Sequence, residues 1–260
     1  MNRGLRNILW GALIVLVLAA IGVILAWFFT HRPMPVDQLN CRRDGATPAH
    51  SIILIDQSDP FNSDDRLWVD KELDDAAREL PRYSRATLLG LTRTPYQLAG
   101  SFRRCTPGSP NDVNELTDNR GFIEVEWRER FYEPMRLAAE EIMRDAEEPR
   151  SPIIEALETI ADRADFTPQQ QQRRIVIVSD MVQNSEGFSF LESGISWSAF
   201  QRTPLYRALP ELRGVEIEVH IVPRRGSSIP PERIRAFWRH YADATHASLE
   251  FDRNHAEEQP

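Results

Sequence analysis

From Ile8 to Thr30 the chain reads ILWGALIVLVLAAIGVILAWFFT, 23 positions without a charged side chain. At ~1.5 Å per residue, a helix of that length crosses the ~30 Å hydrocarbon layer of a bilayer. Trp10 and Trp27 stand near its two ends, where interfacial aromatic residues belong. The apolar run continues into His31-Arg32-Pro33 with no small-x-small site, which argues for a retained anchor over a cleaved secretory signal. This divides the chain into a short tail (1–7), a transmembrane helix (8–30), a polar tether (31–48), a folded domain (49–253) and a polar tail (254–260).

Beyond the tether the pattern changes. Ser51-Ile-Ile-Leu-Ile-Asp56 and Arg174-Ile-Val-Ile-Val-Ser-Asp180 are continuous apolar runs, each ending in an aspartate. Continuous runs predict strands covered on both faces, as in parallel sheets. Val215–Val222 alternates more, which predicts a strand nearer an edge. Ala86–Leu91 and Tyr96–Phe102 read as a hairpin around Thr92-Arg93-Thr94-Pro95. Helical spacing joins Val69, Leu73, Ala76, Ala77 and Leu80, then Val125, Phe131, Met135, Ala138, Ala139 and Ile142, with a bend expected at Pro134. A further helix is expected to open at Ser151-Pro152, with Ser151 as N-cap and Pro152 in the first helical position. Ile234, Phe237, Trp238 and Tyr241 predict a helix with an aromatic core face, and Ser248–Phe251 a last short strand. Alternating strands and helices define an α/β class: a doubly wound, mostly parallel sheet flanked by helices, preceded by one transmembrane helix.

Charge narrows the function. The chain holds 31 basic and 39 acidic residues, a net charge of −8, and every acid lies beyond residue 30. Non-specific nucleic-acid binding needs a basic face to displace counterions, so no nucleic-acid partner is expected. Positive charges flank the apolar run on both sides and do not orient it. Cys41 and Cys105, the two cysteines of the chain, suit an oxidising compartment, which puts the bulk of the chain outside the cytoplasm. Cys41 precedes the first strand and Cys105 follows the hairpin, so a bridge would tie the tether to the domain.

In parallel α/β sheets, ligands gather outside the carboxyl ends of the strands. There the two best strands present Asp56 and Asp180, Ser58 follows Asp56 by two residues, and Ser151 opens the helix before the second strand. Two carboxylates and two hydroxyls form a hard, oxygen-only set suited to Mg²⁺ or Mn²⁺. His240 and His246 read as core or surface residues, and the stretch Glu140–Glu148 as a solvated helix face. No Gly-x-Ser-x-Gly, His-Glu-x-x-His or phosphate-binding Gly-rich loop occurs.

These residues resemble the von Willebrand factor type A domain and its metal-ion-dependent adhesion site. The family pattern is Asp-x-Ser-x-Ser after the first strand, a threonine opening a later helix, and an aspartate after the central strand. Asp56 and Ser58 match the first two positions, Pro60 stands in place of the second serine, Ser151 takes the threonine's place, and Asp180 matches the last. The element order over residues 50–252 follows the family as well. The resemblance implies Ser58 and Ser151 as direct ligands, with Asp56 and Asp180 acting partly through water and Asp59 available as a substitute. It implies a protein partner bound at the carboxyl end of the sheet, with the loops Thr106–Gly121 and Glu186–Ser198 setting its identity. The rival expectation is a metal-assisted hydrolase using Asp56 or Asp59 at the same end.

Overall fold

The computed structural model describes residues 3–30, 34–58, 60–113, 119–144, 149–222 and 229–251. Two compact units divide after Val36. The first contains one long helix, α1 (Arg3–Thr30). Its segment Trp10–Trp27 has a mean hydropathy of 2.5 with no residue buried, long and apolar enough to cross a membrane.

The second unit is the expected doubly wound sheet. Its strands are β1 (Ala49–Asp56), β2 (Arg85–Leu91), β3 (Leu98–Cys105), β4 (Gln172–Ser179), β5 (Val215–Ile221) and β6 (Ser248–Phe251). Their spatial order is β3-β2-β1-β4-β5-β6, and only β3 runs antiparallel to its neighbour. Every residue of β1 is buried, and its apolar stretch Ile52–Ile55 suits a central strand covered on both faces. β5 alternates and lies one strand from the edge that β6 forms.

On one face the sheet packs against α5 (Ile153–Ala161) and α6 (Pro231–Thr245), with Phe237, Trp238 and Tyr241 fully in the core. On the other it packs against α2 (Ser63–Arg78), α3 (Arg120–Trp127) and α4 (Glu133–Arg144). Asn62 starts α2 by a reciprocal cap. Its side-chain oxygen accepts the N–H groups of Asp64 at 2.7 Å and Asp65 at 3.0 Å, and Asp65 in turn accepts Asn62 N–H at 3.0 Å.

Two local expectations are corrected. Near the bend expected at Pro134 the irregularity lies one turn earlier, where Arg128–Tyr132 forms a π turn and Glu133 N–H reaches back to the Arg128 carbonyl. Pro134 has no N–H for the Arg130 carbonyl four residues back, and Arg104 Nη1 occupies that oxygen at 3.3 Å. The second hairpin strand begins at Leu98 rather than Tyr96, because Tyr96 adopts a left-handed backbone (φ 63°) inside the turn. The acids Glu147 and Glu148 of the expected solvated helix face, and the tail 254–260, lie outside the described residues.

Cys41 and Cys105 form the expected disulfide, with Cα atoms 4.9 Å apart. The tether is pinned beside it: Cys105 N–H donates to the Leu39 carbonyl at 2.9 Å, and Asn40 Nδ2 donates to the Cys105 carbonyl at 3.0 Å. The chain therefore enters the domain at the amino-terminal end of β1.

His50 makes this end sensitive to acid. Its Nδ1 lies 2.8 Å from the Asp165 carbonyl oxygen, which can only accept, so Nδ1 carries the proton and Nε2 accepts from Thr87 Oγ1 at 2.9 Å. Burial pulls its pKa from 6.5 down to about 4, against the opposing pull of the Asp165 carbonyl. Below about pH 6.5 the unfolded chain binds a proton that the folded chain refuses. Stability should therefore fall between about pH 6.5 and about pH 4, by up to about 3 kcal/mol from this group. Urea unfolding at neutral pH and near pH 5 checks this, because His50→Gln should flatten that part of the slope.

Candidate functional site

The carboxyl ends of β1 and β4 lie side by side, with Ile55 opposite Val178, so Asp56 and Ser179 emerge next to one another. Asp56 is 1% exposed. Its Oδ2 accepts two hydroxyls, Ser151 Oγ at 2.8 Å and Ser179 Oγ at 2.6 Å, and its Oδ1 accepts Ser58 N–H at 3.0 Å. Three of the four residues expected from the sequence thus meet at one carboxylate.

The fourth, Asp180, follows Ser179 directly and is half-buried. Its Oδ1 accepts Val182 N–H at 2.9 Å. Burial first, and the charge of Asp56 second, push its carboxyl up to about 7, with the Val182 N–H opposing. Two carboxylates are therefore held close enough to repel, which favours a cation or a proton between them.

Ser179 is the member that sequence reasoning missed. It stands immediately before Asp180 at the strand end, and in a parallel sheet the register with β1 places it against Asp56. Its oxygen also accepts Met181 N–H at 2.9 Å, so one hydroxyl joins the Asp56 carboxylate to the turn after β4. That turn is strained. Met181 is fully buried with φ 61°, a left-handed conformation costly for a residue with a side chain. Trp238 Nε1 on α6 donates to its carbonyl at 2.9 Å.

Ser151 does not cap α5, as the sequence suggested. Pro152 occupies the cap position and makes no side-chain hydrogen bond. Ser151 instead forms an antiparallel bridge with Asn184, N–H to carbonyl at 3.0 and 2.9 Å, which leaves its hydroxyl on Asp56. The orphan Ile154 N–H at the start of α5 is met by Gln183 Oε1 at 3.0 Å. The long loop after β4 thereby both fixes Ser151 and caps the helix behind it.

Chemically the cluster is oxygen-only. The Ser151 and Ser179 hydroxyls direct their hydrogens at Asp56, which leaves oxygen lone pairs facing outward, so the donor set is compatible with a hard cation. Among the described residues no three His, Cys, Asp or Glu side chains are grouped so as to hold a metal ion. A cation here would rest on two carboxylates and neutral hydroxyls. Pro60 is exposed and supplies no side-chain ligand, while Asp59, Glu147, Glu148 and residues 114–118 of the Thr106–Gly121 loop lie outside the described residues. Clefts of about 730, 570 and 480 Å³ formed by described residues lie elsewhere, and Asp56, Ser58, Ser151 and Asp180 are not in their walls. Both oxygens of Asp56 accept hydrogen bonds and the residue is buried, so its carboxylate is held in place by the strand ends and the Ser151 segment.

No protein-family model matches the sequence, and no curated protein is significantly similar to it. Among solved structures the chain is similar to a von Willebrand factor type A protein from Catenulispora acidiphila, at 13% identity and a TM-score of 0.42, covering 80% of this chain and 39% of that one. It is also similar to the pilus adhesin SpaC from Lactobacillus rhamnosus GG, at 9% identity and a TM-score of 0.42, covering 81% and 28%. A third similarity is to the TFIIH p34 N-terminal domain, at 12% identity and a TM-score of 0.37, covering 80% and 92%. The chain thus spans about two-fifths or less of the length of the first two.

Proposed function

We propose that this protein is a membrane-anchored, extracytoplasmic interaction module of the von Willebrand factor type A kind, binding a protein partner of an envelope-associated assembly through a divalent cation at the carboxyl end of its sheet. The observation that carries this reading is the convergence of Ser58, Ser151 and Ser179 on the Asp56 carboxylate beside Asp180. In this reading Mg²⁺ or Mn²⁺ sits over the half-buried rim formed by Ser58 and Asp180. Ser58 and Ser151 are direct ligands, Asp56 and Asp180 act partly through water, and Ser179 orients Asp56. A carboxylate of the partner would complete the shell, replacing the ligand that Pro60 cannot give.

The apolar helix Arg3–Thr30 supports the anchor, and the Cys41–Cys105 bridge supports an oxidising compartment. A pull-down with the full chain in detergent tests the function. The partner should be recovered in Mg²⁺, lost in chelator and lost with Asp180→Ala. Equal recovery in all three would overturn the metal-dependent reading. Extraction of the full chain by alkaline carbonate would overturn the anchor.

A further inference from the structure

Asp165, in the loop between α5 and β4, gathers three arginines from separate elements at the end of the sheet opposite Asp56. Arg163 closes on it with two bonds, Nε to Oδ1 at 2.9 Å and Nη2 to Oδ2 at 3.0 Å. Arg85, the first residue of β2, reaches Oδ2 at 3.4 Å, and Arg103 of β3 stands 3.9 Å from the same oxygen. One carboxylate thus faces three guanidinium groups, an excess of two positive charges on a chain whose net charge is −8. The neighbouring Asp44 is paired with Arg42 and does not offset that excess.

Two further features leave donors to spare. Arg85 Nε is buried with no hydrogen-bond partner, and the Arg103 side chain is 55% exposed. Beside the cluster opens a cleft of about 570 Å³; of the three arginines Arg85 stands in its wall, with Arg42, Asp165, Thr167 and Gln169, while Arg103 and Arg163 adjoin it through their shared partner Asp165. Guanidinium forks match the oxygens of a phosphate group in a way that ammonium groups do not.

We propose that the Arg85–Arg103–Arg163 cluster and its cleft bind a phosphate-class oxyanion. Two sources share this chemistry: free phosphate and the phosphodiester of an anionic lipid headgroup. The cleft wall includes Gly45–Pro48, part of the segment that leads from the apolar helix into β1. The lipid source rests on the anchoring proposed above, whereas the oxyanion chemistry does not.

The full chain, assembled into nanodiscs of phosphatidylcholine alone or in equal parts with phosphatidylglycerol, provides the test. The readout is backbone hydrogen exchange across residues 163–171. A lipid source predicts protection only in the phosphatidylglycerol discs. A free source predicts protection by inorganic phosphate in phosphatidylcholine discs and in detergent. Either result should weaken about fivefold with Arg103→Gln, whose exposed side chain leaves the fold intact, and further with Arg163→Gln added. No protection under either condition, or protection indifferent to both substitutions, would overturn the proposal. Failure of anchoring is read separately, as loss of the protein from the discs with the detergent and phosphate arm unaffected.

Discussion

Asp56→Ala is expected to destabilise the domain by about 3 to 4 kcal/mol with no metal present. The substitution strips partners from two buried hydroxyls and one backbone N–H, at Ser151, Ser179 and Ser58. Hydrogen bonds to an ionised group are worth roughly 1.5–3 kcal/mol each, and buried donors left unmet add to the loss. The total stays below a simple sum because serine hydroxyls can turn and water can enter. Urea unfolding followed by tryptophan fluorescence measures it, since Trp127 and Trp238 are buried. Asp180→Ala provides the contrast: it removes a half-buried carboxyl that Asp56 repels and should cost less than about 1 kcal/mol. A loss below that figure for Asp56→Ala as well would show that the carboxylate does not organise the strand ends.

The second large effect belongs to the disulfide. Cys41 and Cys105 are 64 residues apart in sequence, and closing a loop of that length in the unfolded chain is worth roughly 4 kcal/mol on the chain-entropy account. The paired substitution Cys41→Ser with Cys105→Ser should lower stability by about that amount. It should also speed hydrogen exchange at Cys105, whose N–H rests on the tether carbonyl of Leu39. Unfolding of the native chain with and without reductant gives an independent measure, and agreement with the variant separates loop closure from any packing of the serines.

Continuous apolar runs were enough to identify β1 and β4 and their burial, because a strand covered on both faces has no other composition open to it. The same runs delivered Asp56 and Asp180, since each strand ends where its polarity returns. Ser151 was legible as a site residue but not in its local role. A Ser-Pro pair before a helix is an ordinary cap signal, and only the long-range bridge to Asn184 turns the hydroxyl towards Asp56. Ser179 was hidden for a related reason: nothing within its own strand marks it, and its partner is 123 residues away in sequence. At the π turn Arg128–Tyr132 the Arg130 carbonyl likewise finds its donor in Arg104, a residue of another element. Of the arginines around Asp165, Arg163 is two residues away, but Arg85 starts β2 and Arg103 lies near the end of β3. Local periodicity cannot assemble them.

The chain enters at Ala49 and the candidate site begins at Asp56, so the two lie at opposite ends of one strand. A pull between a bound partner and the tether would run lengthwise along β1. Strand β1 is laddered to β2 on one side and to β4 on the other over nearly its whole length. Tension in that direction shears both ladders, loading their hydrogen bonds together rather than opening them one by one from an end. The Cys41–Cys105 link would pass part of the load to β3 before it reaches β1. Traction between the proposed anchor and the proposed partner would thus meet the sheet in shear rather than in peeling.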